Sequence, residues 1–250
     1  MSNSSSSLLA ISSPAGFAHY VSGGRWKPAR HLMRISDALV DIAAGRLKRL
    51  IVTLPPRHGK SSLISQYFPA WYLGLYPERR VILSSYEASF AASWGRRARD
   101  VLTQWGPQLF GVTVSDATSA QDEWEVVPVE GAEEDAAIIR GGMVTAGVGG
   151  SITGRGAHVL IIDDPVKNQD DARSKTLQEK QLDWFLSTAY TRLESDPEGA
   201  VIIIMTRWNE GDLVGRLLAA EKEASDEEKE HWTIINLPAL AEDDDPLGRE

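Results

Sequence analysis

None of the 250 residues is cysteine. Disulfides and thiolate metal sites are therefore excluded, which fits a reducing cytoplasm. No apolar run approaches the roughly 18 residues of a membrane-spanning helix, so no membrane association is expected. The amino terminus, M-S-N-S-S-S-S, has neither a basic region nor an apolar core. It reads as a flexible tail over residues 1–24 and not as a signal peptide. Positive charge is also short, with a formal net charge of −9. The deficit is local. Residues 219–250 hold eleven acidic and three basic residues, leaving 24 acidic and 23 basic in residues 1–218. The clusters Arg46/Lys48/Arg49, Arg79/Arg80 and Arg96/Arg97/Arg99 then admit two readings: contacts to nucleic-acid phosphates, or solvated helix faces.

What is present is ordinary globular material, 42% apolar and 24% charged, enough for one large domain or two small ones. The most informative stretch is residues 49–62, R-L-I-V-T-L-P-P-R-H-G-K-S-S. Its apolar, β-branched start predicts a buried strand. The prolines end that strand, and Gly59-Lys60-Ser61-Ser62 leads into a helical pattern over residues 63–73, kinked at Pro69. Strand, tight loop and helix with Gly-Lys-Ser make a phosphate-binding loop. Backbone N–H groups of Pro56-Arg57-His58-Gly59-Lys60-Ser61-Ser62, apart from the proline, would face phosphates at a helix N-terminus. Lys60 would reach the β/γ-phosphates, and the Ser61 hydroxyl has the chemistry for Mg²⁺. Leu54 stands where the common G-x-x-x-x-G-K-[ST] pattern has glycine. Two prolines follow it and stiffen the loop, and Arg57 is an extra cation for the phosphates. The bland alternative is a strand–turn–helix joint with a chance Gly-Lys-Ser.

Upstream, residues 32–44 predict an amphipathic helix closed by Gly45. Trp26, in the basic segment before it, suits either stacking on an adenine or ordinary packing. Downstream, residues 80–86 predict a second buried strand and 88–102 a helix. Residues 106–135 read as irregular, with an edge strand near Trp124. Residues 141–156 hold seven glycines and read as a loop or hairpin. Arg155, between Gly154 and Gly156, is either a solvated loop residue or a guanidinium held beside the following strand.

That strand, residues 159–162, runs into Asp163-Asp164-Pro165. Apolar on every position, it is expected to be parallel and buried on both faces. Its carboxyl end then delivers the acids to the binding edge of the sheet. Asp163 would hold Mg²⁺ and Asp164 would polarise the attacking water. A helix within residues 167–192 and a strand at 200–205 follow. Thr206 and Arg207 at that strand's tip either sense a γ-phosphate or cap the strand. A short helix at 210–218 and a fifth strand at 232–237 complete the pattern. Strands alternating with helices predict an α/β fold with a central, mostly parallel sheet flanked by helices. Lys60, Asp163 and Thr206 converge at its carboxyl edge.

With L-P-P-R-H-G-K-S (54–61), G-S-I-T-G-R-G (150–156), V-L-I-I-D-D-P (159–165), M-T-R-W-N-E-G-D-L (205–213) and L-P-A-L-A-E-D-D-D-P-L-G-R (237–249) in view, the chain resembles a viral terminase large subunit. That family is the ATPase motor that packages DNA into tailed-phage procapsids. The resemblance implies an ASCE/RecA-like P-loop NTPase over residues 25–240, using ATP and Mg²⁺. It implies Lys60 and Ser61 on phosphate and metal, Asp163 as the metal acid, Asp164 as the catalytic acid and Thr206 in a coupling motif. Arg155 would be an arginine finger inserted into a neighbouring subunit's site. The implied partners are double-stranded DNA, a portal ring, a small terminase subunit and further copies in a ring on the portal, in the host cytoplasm. Family members also carry an RNase-H-like nuclease domain. Residues 241–250 read as the start of the linker to it, so nuclease activity is not expected of this fragment. A helicase would need a second RecA-like domain, and a small-molecule kinase an acceptor pocket that the sequence does not display.

Overall fold

The computed structural model describes residues 8, 10–129, 141–150, 152, 154, 156–194, 199–240, 245 and 247–249. Eight strands form one sheet in the order β3-β4-β5-β2-β6-β7-β1-β8. They are β1 (Arg49–Thr53), β2 (Arg80–Ser85), β3 (Val112–Ser119), β4 (Glu123–Pro128), β5 (Gly142–Gly147), β6 (Val159–Asp163), β7 (Ala200–Met205) and β8 (Thr233–Asn236). From β5 to β8 every pairing is parallel, and β3–β4 is an antiparallel extension joined antiparallel to β5. The fold is therefore the expected α/β one.

The strands read as continuous apolar runs because alternate residues feed two different cores. Leu50, Val52, Val159, Ile161, Ile202 and Ile204 point into one. There they meet Phe17, Leu39, Ile64, Phe68 and Leu102 from the helices on that face. Ile51, Leu160, Ile162, Val201 and Ile203 point the other way, onto Trp184, Phe185, Leu213 and Val214. The helices are α1 (Pro14–Val21), α2 (Arg30–Ala43), α3 (Phe68–Leu75), α4 (Ala88–Phe110), α5 (Gln169–Arg173), α6 (Lys175–Trp184) and α7 (Leu213–Glu223). Among the described residues no helix is long and apolar enough to cross a membrane.

Several expectations are corrected. The supposed tail contains α1, capped by the Ser13 side chain accepting from Gly16 N, with Pro14 in its first turn. Phe17 is fully buried against the core, so this part of residues 1–24 is folded, while residues 1–7 and 9 lie outside the described set. The glycine-rich stretch supplies a central strand, β5. A side chain on Gly142 would run into the Trp124 carbonyl of β4, so glycine there serves close strand packing. The region around Trp124 is a hairpin, β3–β4, whose outer member is β3. The helix before it runs through Gly106 and Pro107 to Phe110. The segment after the phosphate-loop motif opens as a π-helical turn, Ser62–Tyr67, in which Phe68 N donates to Leu63 O. Pro69 follows as the second residue of α3, directly after the widened turn and inside a helical run that begins at Lys60. In the acidic 241–250 stretch, residues 241–244, 246 and 250 lie outside the described set. Leu247 rests on the main core, and Arg249 pairs with Asp245 at 2.5 Å and donates to Pro238 O.

Candidate active site at the carboxyl edge of the sheet

β1 ends at Thr53, Leu54 is buried and the chain turns through Pro55 and Pro56. Arg57 follows at φ 64° and Gly59 at φ 81°. The left-handed region favours glycine at the second position, and a side chain there would also press on Leu32 of α2 at 3.3 Å. These two turns reverse the chain so that helix begins at Lys60. The helix end is braced from α2: His31 Nε2 donates to His58 O at 2.9 Å, and the two rings meet edge-on at 6.1 Å. His58 Nδ1 in turn donates to Pro56 O at 2.9 Å. Pro56, Arg57 and His58 are solvent-exposed, whereas Lys60 is buried.

β6 pairs with β2 on one side and β7 on the other and presents Asp163 and Asp164 at the same edge. Ser61 Oγ donates to Asp163 Oδ1 at 2.9 Å and Ser65 Oγ to Asp163 Oδ2 at 2.7 Å. Asp163 is fully buried. Burial, helped by the Asp164 charge, raises its carboxyl to about 7, against the pull of Ser65, Lys60 and Ser61. Asp164 is a non-glycine residue at φ 44°, a geometry costing on the order of 1–3 kcal/mol unless the surroundings fix it. They do. Its N–H donates to Ile204 O at 2.8 Å, and its carbonyl accepts from Tyr86 N at 3.3 Å. Ser85 Oγ clasps the Asp163 carbonyl at 2.5 Å.

The bend turns the Asp164 side chain across the sheet edge. One oxygen takes Lys60 Nζ at 2.6 Å, and the other accepts the Thr206 backbone N–H at 2.9 Å. Thr206 Oγ1 lies 3.5 Å from Leu54 O, so the tip of β7 touches both the start of the loop and the acid. Lys60, Ser61, Asp163, Asp164 and Thr206 thus meet in one place from three separate segments.

The other expected residues fall out differently. Trp26 lies edge-on to Tyr67 with centroids 6.2 Å apart, half-buried beside the helix that follows the loop. Arg155 lies outside the described residues. Arg207 turns away from the acids to Asp212, 2.7 Å distant, which favours a strand-end structural role for it. Of the basic clusters, Arg46 pairs with Asp41, Arg49 with Glu230 and Arg99 with Asp100. Arg79 lies over the Tyr76 ring and Arg97 over Trp94.

Four contributors were not named from the sequence: Ser65, His31, Ser85 and Asp212, the partner of Arg207. Ser65 carried a signal, since it stands four residues after Ser61 and hence on the same helical face. His31, Ser85 and Asp212 carried none, because only the folded chain brings them near the site or its flanking residues. The groups on or beside the Asp163 carboxyl are all oxygen: the hydroxyls of Ser61 and Ser65 and the carboxyl of Asp164 next in the chain. Among the described residues there is no cluster of three His, Cys, Asp or Glu suited to a metal. That sparse set fits Mg²⁺, which is commonly held by one or two protein oxygens together with water and substrate phosphates.

Residues 51–250 match the family model described as "Terminase large subunit, T4likevirus-type, N-terminal". A search of curated proteins gave no match. Among solved structures, the fold is shared with "Crystal structure of the HK97 bacteriophage large terminase" at TM-score 0.50 and 16% identity. The alignment covers 88% of this chain and 40% of that one, so the chain spans less than half the length of that terminase.

Proposed function

The chain belongs to the terminase large-subunit family, in its N-terminal domain, and from that premise we propose that it is a Mg²⁺-dependent ATPase driving translocation of double-stranded DNA into procapsids. One observation carries the reading: Lys60 and Asp164, 104 residues apart, lie 2.6 Å from each other, with Ser61 on Asp163 beside them. A cationic loop after β1 and two acids at the end of β6, with β7 between the two strands, are the parts phosphoryl transfer needs, since its catalysis is mostly positioning and charge stabilisation.

Lys60 is paired with Asp164. Phosphates in the loop offer Lys60 a stronger partner, and its departure leaves Asp164 Oδ2 free to take the proton of an attacking water. Thr206 N keeps Oδ1 fixed meanwhile, so the freed oxygen has a set direction. Ser61 and Asp163 would hold the magnesium, which would supply positive charge to the phosphates. Trp26 is the aromatic residue proposed to flank the adenine. Arg155, between two glycines, is proposed as the guanidinium that enters a neighbouring copy's site, a contribution of roughly 10³–10⁵ in rate. The proposed assembly is a ring of copies on a portal in the host cytoplasm, with a small terminase subunit.

Lys60→Ala tests the reading. ATP turnover, followed by phosphate release, should fall to background; turnover within tenfold of the unmodified chain would sink the phosphate-loop assignment.

A further inference from the structure

Resting on the functional reading above, we infer that Ser65 is a positioning residue for the metal-holding acid: it fixes which oxygen of Asp163 faces the Ser61 side of the site. In the ionised form that holds a metal, a carboxylate can only accept hydrogen bonds, and the two oxygens of Asp163 are each taken by a different hydroxyl. Ser61 donates to Oδ1 and Ser65 to Oδ2. Ser61 is half-exposed at the mouth of the loop, whereas Ser65 is completely buried. Water cannot stand in for the Ser65 hydroxyl, so without it Oδ2 becomes a buried acceptor with no donor. The carboxylate would then rotate to share the one hydroxyl left to it, and Oδ1 would leave its fixed direction.

The backbone around Ser65 suits this duty. It lies inside the π-helical turn Ser62–Tyr67, a widened turn that recurs at functional sites, and is flanked by buried Leu63, Ile64 and Phe68. On the opposite side, Ser85 Oγ holds the backbone carbonyl of the same aspartate. Asp163 is therefore clamped at main chain and side chain by serines that do not themselves face the substrate. Partners of this kind, one step removed from a metal, typically change its affinity by 10–100-fold.

The test uses the full chain, an N-methylanthraniloyl ATP as fluorescent probe, and MgCl₂ titrated against EDTA. For Ser65→Ala, affinity for the probe in EDTA should stay within twofold of the unmodified chain. The MgCl₂ midpoint should rise about tenfold or more. Ser65→Cys, close to serine in size and a weak donor, should fall between and covers the case in which the alanine variant does not fold. A MgCl₂ midpoint unmoved in whichever variant folds overturns the positioning role alone. Loss of probe affinity in EDTA equal to any loss in Mg²⁺ also overturns it, since that marks a general defect. If the unmodified chain binds no probe with or without Mg²⁺, the functional reading falls and this inference falls with it.

Discussion

At Asp163, two effects push in one direction: removal from water and the charge of the next residue both favour the protonated carboxyl. The folded value of about 7 lies above the ordinary 3.8 of an aspartate, so the folded chain binds a proton that the unfolded chain releases. Between about pH 4 and pH 7 stability must therefore decline as pH rises, by up to about 1.4 kcal/mol per unit from this group. Asp163→Asn removes that dependence. In EDTA, urea midpoints of the asparagine variant should gain on the unmodified chain from pH 4 to pH 7 and level off above. Parallel curves would show that Asp163 stays ionised in the fold. The same residue shows what a sequence can disclose. Its place at the end of an apolar run announces a strand-end acid, and Gly-Lys-Ser announces a loop. The hydroxyl of Ser65 is one of many serines until the helix turns it inward.

Among the elements, β7 and α7 are joined by a short segment whose polar groups are almost all used. Asp212 caps α7 through Gly215 N at 2.9 Å and holds Arg207 with its other oxygen. Asn209 accepts from Gly211 N at 2.7 Å and donates to Ala172 O, which Gln178 also contacts at 2.6 Å. The Thr206 end of this segment touches Asp164, and the other end grips α5, α6 and α7. Asp212→Asn keeps the cap and loses the ion pair. Asp212→Ala loses both, so it should cost about 1 kcal/mol more, the usual worth of a cap. Urea unfolding of the two variants checks this, and equal costs would remove the cap from the account. Strands such as β1, β6 and β7 were legible because both faces are buried and their central residues are all apolar. β3 was not, since its outer half is exposed and polar, V-T-V-S-D-A-T-S. β5 was hidden by its glycines. α1 had a Ser-Pro start, but the serine run before it masked the signal.

For the molecule as a whole, the proposed site is incomplete within one copy if Arg155 acts on a neighbour. Specific ATPase activity should then rise with protein concentration and approach its ceiling as copies associate. Arg155→Ala should flatten that rise while leaving nucleotide affinity within about threefold. Activity independent of concentration would place every catalytic group in one chain. The sheet sets how such a site can do work. Among the described residues, the ladders from the phosphate-loop strand β1 to the acid-bearing strand β6 run through β7, bonded in register to each along its length. Sliding β1 against β6 would mean breaking a whole ladder at once. Were the proposed chemistry to act at this edge, its effect would leave through whatever hangs from the tip of β7, much as a fixed anvil passes a blow to the piece laid on it.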